Sequence, residues 1–390
     1  MLRREDNVSF ALPFMAGMII TSIMMGKFCD SYESILNSAI LSSILIFISI
    51  ISTFFLLVKR SKSYKIIEYS WLSLIVIMFF FSGANSYVIS ELVGSWDGFS
   101  SLDREKSKMA INIANHISQI PYKNEESKHI ISALLVGDKG NLAPQTISYF
   151  RESGAAHILA LSGLHLGLIY GVLKFISKIL GGRPIIKKTS SILIILFAGL
   201  YTHWTGASPS LIRAFLFIGL REIANILNRD SKNIDIYCTA LTIQLVLNPQ
   251  IIHSIGFQLS YLACAGIYFV YPYVKDWYVL PFRAILKSEN DSITSSSWSE
   301  PMRKIWELIA LSTVCQLFTL PATWHYFGSF PKYFIITNLI AIPLSSFILI
   351  SSMLIVAIGY LDFYPSVLII INEAMIEALC FCLKIISELP

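Results

Sequence analysis

Stretches at 7–26, 34–58, 69–90, 189–212, 308–331 and 333–361 run without a single aspartate, glutamate, lysine or arginine. A helix needs about 20 largely apolar residues to cross roughly 30 Å of hydrocarbon. Inside lipid the backbone must satisfy its own N–H and C=O groups, which a helix does within one segment. Further apolar runs begin near His157, Ser208, Ile236, Ile251 and Tyr364. The fold class is therefore all-α, a polytopic integral membrane protein with about 9–11 transmembrane helices plus short interfacial or re-entrant helices. With 55% of its residues hydrophobic and 14% charged, the chain is too apolar for a soluble globular domain or a disordered segment.

Charge placement sets the expected topology. Lys59, Arg60, Lys62 and Lys65 lie between the second and third spans, and the positive-inside rule makes that loop, and the amino terminus with it, cytoplasmic. Arg3 and Arg4 precede the first apolar run, and no small-residue cleavage site follows it, so a retained first helix is expected. Lys174, Lys178, Arg183, Lys187 and Lys188 mark the next cytoplasmic boundary. Residues 1–92 then form an N-terminal three-helix membrane region, 93–153 an external segment, and 154–390 the main membrane domain.

Within the external segment, Met109, Ile113, Ile117 and Ile120 fall at helical spacing beside Arg104, Lys106 and Lys108, the pattern of a helix lying on a membrane surface. Residues 127–136 and 144–153 are too short and too polar to span and read as interfacial or re-entrant helices. Ser208-Pro209 is a good helix start, with proline at the first helical position. The stretch 236–247 is short for a crossing, but the basic residues that follow it require one, so it is expected to cross short or tilted. Pro343 is a place where the long 333–361 run could divide. The loop at 287–300 is rich in serine. Six cysteines lie scattered along apolar segments without metal-ligand spacing, so no disulfide framework, metal site or cofactor is expected.

Polar and ionisable groups inside a membrane are costly and point to function. Four helices expected to begin on the outer side carry a basic residue near that end: His157, Arg213, His253 and Lys332. Helix amino termini also present free N–H groups and a positive dipole end, so this face should attract anions such as phosphate. Snorkelling to headgroups is the alternative, chiefly for Lys332 and His253 and less for Arg213, which lies about a turn deeper and whose guanidinium suits phosphate geometry. His157 and His165, eight residues apart, would share a helix face two turns apart with Ser162 close by, as a polar pore lining or a catalytic pair. Gly154, Gly163 and Gly167 would allow close helix approach. Gln258, Gln316 and Asn338 sit where amides bond between helices. His325 stands among Trp324, Tyr326 and Phe327 at an expected interface belt, where aromatic rings could also stack on bases. Glu373 and Glu377 share a face of the last helix, as proton-coupling carboxylates or as a wet or partner-packed surface.

The stretch ALLVGDKGNLAPQTISYFRESGAAHILALSGLHLGLIYG at 133–171 resembles the central signature of the ComEC competence-protein family. TGASPSLIRAF at 205–215, NPQIIHSIGFQLSYLACAGI at 248–267 and QLFTLPATWHYFGSFPKYFIITNLIAIP at 316–343 agree in the same order. The resemblance implies a multi-pass protein of the bacterial cytoplasmic (inner) membrane, a channel in contact with membrane lipid that passes single-stranded DNA inward during natural transformation. It implies an external DNA receptor protein and a cytosolic ATP-driven DNA translocase as partners. The candidate DNA-path residues become His157, Ser162, His165, Arg213, Gln258, Gln316, His325 and Asn338.

Family members commonly add an oligonucleotide-binding-fold domain and a metallo-β-lactamase-like domain; neither is recognisable in full here, so no enzymatic step is expected and a separate nuclease would degrade the second strand. Two other classes stay open on the residues alone. A secondary transporter of a smaller anion or lipid-linked precursor would suit the interruptions near Pro249 and Pro343. An intramembrane serine hydrolase would use Ser162 with a histidine base.

Overall fold

The computed structural model describes residues 6–28, 44, 64–93, 108–179, 181, 184–278, 299–328 and 330–389. The expected second span at 34–58 apart from Ile44, the cations Lys59, Arg60 and Lys62, and residues 287–298 of the serine-rich loop lie outside the described residues. So do Arg104 and Lys106. Every regular element among the described residues is helical.

In chain order these are α1 (Asp6–Phe28), α2 (Tyr64–Val93), α3 (Lys108–Gln119), α4 (Glu125–Val136), α5 (Pro144–Glu152), α6 (Ala156–Leu159) and α7 (Gly163–Ile179). Next come α8 (Pro184–Trp204), α9 (Pro209–Ile226) and α10 (Asn233–Leu247), with a 3-10 turn at Pro249–His253. α11 (Ile255–Ala265) runs through a π turn at Gly266–Val270 into α12 (Tyr271–Val274), and α13 (Ser299–Phe327), α14 (Phe334–Gly359) and α15 (Ser366–Ser387) complete the chain. Pro343 stays inside α14 and does not divide it. Among the described residues, Pro184–Trp204, Ile255–Trp277, Pro301–Phe327, Phe334–Gly359 and Ser366–Ser387 are long and apolar enough to cross a membrane, and α10 is one of three shorter apolar helices. The protein is an all-α, multi-pass membrane protein.

The chain forms two compact units, one from Met1–Arg104 with Leu216–Phe257 and the other from Glu105–Phe215 with Gln258–Pro390. In the first, α1 and α2 cross backbone to backbone. A Cβ on Gly17 would collide with the Phe80 carbonyl, and one on Gly83 with the Phe14 carbonyl. Small residues at such a crossing are what allow membrane helices to touch so closely. Ala11, Phe14, Met18, Ala84 and Val88 are buried around it. α10 packs on α1 and buries Cys238.

The second unit is built around one buried core shared by α3, α4, α14 and α15. α3 packs one face on protein, its Ala110 and Ile117, with Ile120 beyond its end, buried in one cluster with Ile348, Leu349 and Ile355 of α14 and Ile369, Ile376 and Leu379 of α15, while Met109 and Ile111 stay exposed. α4 is buried from Ile130 to Val136 on every side. A helix that is buried all round belongs to a core, not to an interface. Local signals still set its ends. The Asn124 side chain accepts from the Glu126 N–H at 3.0 Å, and Gly137, at φ 75°, donates its N–H to the Ala133 carbonyl at 3.0 Å. These are an N-cap and a left-handed C-cap. The Glu126 carboxylate then accepts from the Ala143 N–H at 3.1 Å and the Thr146 hydroxyl at 2.7 Å, tying the start of α5 to the start of α4.

Candidate functional site

The chain leaves α6 at Ala160, which is extended (φ −80°, ψ 131°), and restarts as α7 at Gly163. His157 and His165 therefore stand on separate helices, and the single face expected for them does not exist. Within an apolar stretch such a break leaves backbone groups to satisfy. Ser208 supplies one partner, its hydroxyl donating to the Leu161 carbonyl at 3.4 Å, while Leu161 seats its side chain against Gly137, where a Cβ would come within 2.5 Å of its Cδ1.

Ser162 and His165 do come together, as a cap. The Ser162 hydroxyl oxygen accepts from the Leu164 N–H at 3.2 Å, and His165 Nδ1 accepts from the Ser162 N–H at 3.1 Å. This is the reciprocal arrangement of a capping box, with imidazole in the place usually held by a carboxylate. An Nδ1 that accepts a backbone N–H leaves the ring proton on Nε2. The Ser162 oxygen is also 3.1 Å from that Nδ1, so the cap by itself brings the two side chains together.

Arg213, in the second turn of α9, stands at the meeting point of three helices. Its guanidinium donates to the Ser260 carbonyl of α11 and lies over the first residue of α7, where a Cβ on Gly163 would come within 2.7 Å of Nη2 and 3.4 Å of the Ala214 Cβ. Gly163 thus makes room for a cation, not for a helix backbone. Gly154 has a different duty, combining φ 88° with a close approach to Pro331. Gly167 has nothing within 4 Å of a would-be Cβ, so its expected part in helix packing is not what the structure shows.

The starts of α7 and α9 therefore lie together, half-buried, with a guanidinium between them and the Ser260 carbonyl of α11. Two helix amino termini and an arginine fork make a region favourable to a phosphate or carboxylate.

The other expected residues are dispersed. His157 is exposed, its Nδ1 3.1 Å from the Gly154 carbonyl. Gln258 and Gln316 are partly buried. Asn338 is 9% exposed, and its side-chain oxygen accepts no hydrogen bond from the protein. His325 is exposed and meets Tyr326 edge-on at 5.1 Å, and Lys332 is exposed too. His253, in the other unit, is held by two hydroxyls, with Ser22 at 3.0 Å and Tyr87 at 3.1 Å from Nε2, so it is a tie between α1, α2 and the 3-10 turn.

Glu373 and Glu377 part company. Glu373 is buried and accepts from the Asn124 N–H at 2.7 Å, whereas Glu377 is exposed. Sequence reading missed the neighbour of Glu373, Asn372. Fully buried, it accepts from the Tyr122 hydroxyl at 3.0 Å and donates to the Ile348 carbonyl, the Ser351 hydroxyl at 2.7 Å and the Ser352 hydroxyl at 3.0 Å. An amide inside an apolar run was the available signal. Glu222, fully buried in the first unit with Asn225 donating to it at 3.2 Å, was masked in sequence by adjacent Arg221, which reads as a boundary charge.

Residues 134–390 match the model of a family described as Competence protein. ComE operon protein 3 of Bacillus subtilis is 28% identical over 222 residues, which cover 57% of this chain and 25% of that protein. Recombination protein 2 of Haemophilus influenzae is 25% identical over 225 residues, covering 57% and 27%. The uncharacterized Escherichia coli protein YcaI is 26% identical over 239 residues, covering 60% and 29%. The chain thus spans less than a third of the length of these relatives. No solved structure matches it.

Proposed function

The chain belongs to the competence protein family over residues 134–390, and from that premise we propose that it conducts single-stranded DNA across a bacterial cytoplasmic membrane during natural transformation. The observation that carries this reading is the junction at Arg213. A polyanion meets an electrostatic barrier at a low-dielectric layer, and clustered helix amino termini with a cation lower that barrier. The broken passage from α6 to α7 supports the same role, since irregular backbone at membrane depth belongs beside protein or water and not beside lipid. Conduction itself needs no bond-making step, and a receptor outside, an ATP-driven translocase inside and a separate nuclease would supply the rest.

The test separates two transport steps. Arg213→Ala should abolish delivery of a labelled strand to the cytosol while DNA binding to the cell and uptake of duplex to the outer compartment persist. Normal delivery in that variant removes Arg213 from the path, and normal transformation after deletion of the gene removes the channel reading altogether. Broken helices are also the mark of secondary transporters. Proton- or sodium-coupled uptake of a small labelled anion into vesicles would favour that class instead.

A further inference from the structure

Residues 120–153 connect two levels of the α14–α15 pair that lie far apart. At one end Tyr122 and Asn124 bond Asn372 and Glu373, and Asn372 bonds Ser351 and Ser352. At the other end the Thr337 hydroxyl donates to the Ser153 carbonyl at 2.8 Å, and Gly154 packs on Pro331. Thr337 is in the first turn of α14, whereas Ser351 and Ser352 are more than halfway along its 26 residues. At about 1.5 Å per residue the two levels are roughly 21 Å apart.

Depth follows from the same rise. α14 is about 39 Å long and the 22-residue α15 about 33 Å, against roughly 30 Å of hydrocarbon. With the excess shared between their ends, Ser351–Ser352 and Asn372 each fall about 7 Å inside the layer, and two helices of different length agree on that value. His116 confirms which end this is. It stacks on Tyr360 at 4.2 Å between ring centres, in the turn that joins α14 to α15.

The segment between those levels is not apolar. Lys123, Glu125, Lys139, Arg151 and Glu152 are exposed on it. Lys123 and Glu125 flank Asn124 at the Asn372–Glu373 level, where a charge facing lipid is costly, up to about 2.5–3.5 kcal/mol on insertion scales. Backbone without helical bonds, as at 120–124 and 137–143, is tolerated at membrane depth only against protein or water.

We propose that residues 120–153 form a broken, non-spanning insert that runs through the membrane layer between these two levels, and that its charged edge lines a water-filled vestibule reaching from the Thr337 end to the level of Asn372. The segment expected to be external is then largely intramembrane. This rests only on α14 and α15 spanning the bilayer, and holds whether or not DNA is the passenger.

Single-cysteine versions of the full chain, with the six natural cysteines replaced, test it in vesicles containing nitroxide-labelled lipid. Lys123→Cys and Glu125→Cys, at exposed positions beside Asn124, report the insert. Phe347→Cys and Leu354→Cys bracket Ser351 and Ser352 on α14 at exposed apolar positions. The insert positions should react with a charged, membrane-impermeant thiol reagent at least tenfold faster than the α14 pair, and fluorophores on the α14 pair alone should be quenched by the lipid nitroxide. Quenching by lipid at Lys123→Cys without reaction overturns the vestibule. Fast reaction at all four positions overturns the depth, because that level of α14 would then lie outside the bilayer.

Discussion

Gly83→Ala offers a sharp test of the close crossing in the first unit. The new methyl would run into the Phe14 carbonyl, a backbone atom that no side-chain rotation relieves. Carbon meets carbonyl oxygen at about 3.3 Å, so α1 must withdraw by roughly 1 Å or more. A gap of that size forfeits a quarter to a half of the dispersion well for atoms facing it. Phe14, Met18 and Val88, at 4%, 0% and 1% exposure, line the crossing. The expected cost is about 3 kcal/mol, near the top of the range for overpacked sites, or roughly 6–12 °C in melting temperature for a unit of this size. Cys238, buried at 3% in the same unit, gives the assay: with it as the sole cysteine, a thiol-reactive fluorogenic dye reports its exposure on heating in detergent. Gly17→Ala forces the same withdrawal from the other side, since its Cβ meets the Phe80 carbonyl. The double variant should therefore cost no more than about 1 kcal/mol beyond the larger single one. Simple additivity, as found for independent sites, would refute the shared crossing, and so would a Gly83→Ala protein that melts with the wild type.

Three further outcomes are expected. Gly163→Ala should reduce strand delivery as Arg213→Ala does, at unchanged protein level, because its methyl takes the place of Nη2, while Gly167→Ala, with open space around it, should leave delivery unchanged. A double-mutant cycle of Tyr122→Phe with Asn372→Leu should show a coupling of about 0.6–1.7 kcal/mol in thermal unfolding, the range for hydrogen bonds between membrane helices; no coupling would mean the two groups are not bonded. Ser162→Ala should cost about 1 kcal/mol of stability as a lost helix cap and leave strand delivery in place, with no labelling of the wild type by a fluorophosphonate probe; labelling that depends on Ser162 would restore the hydrolase reading.

What could be read from residues alone followed the strength of the local physics. Long uncharged runs admit one solution in lipid, so α8, α13 and α14 are plain, α15 is legible as an apolar run despite Glu373 and Glu377, and Ser208-Pro209 announces the start of α9. The break before α7 is hidden, because LALSGLHL at 159–166 is mostly apolar and carries no proline, so nothing in it forbids a continuous helix. Its partners, Ser208 and Gly137, lie some 25 to 45 residues away in sequence and are brought in by the fold. α4 misled for the opposite reason. Glu125, Glu126 and Lys128 at its start look like a surface, yet its apolar remainder is enclosed by α14 and α15, more than 200 residues later. Arg213 was singled out as a cation near a helix start, but its partner is the backbone of Ser260, which no residue identity reveals.

The π turn at Gly266–Val270 places one residue too many in the ladder below Ser260, and it is held where Gly266 meets Val314 and Phe318 of α13. Such a surplus residue need not stay put. If it slides toward Ile255, the side chains it passes rotate by about 100°, one residue's step around a helix. Gln258 and Tyr261 would swing to a new heading while both ends of the column keep their height, which gives α11 a way to change what it shows its neighbours by a twist instead of a lift.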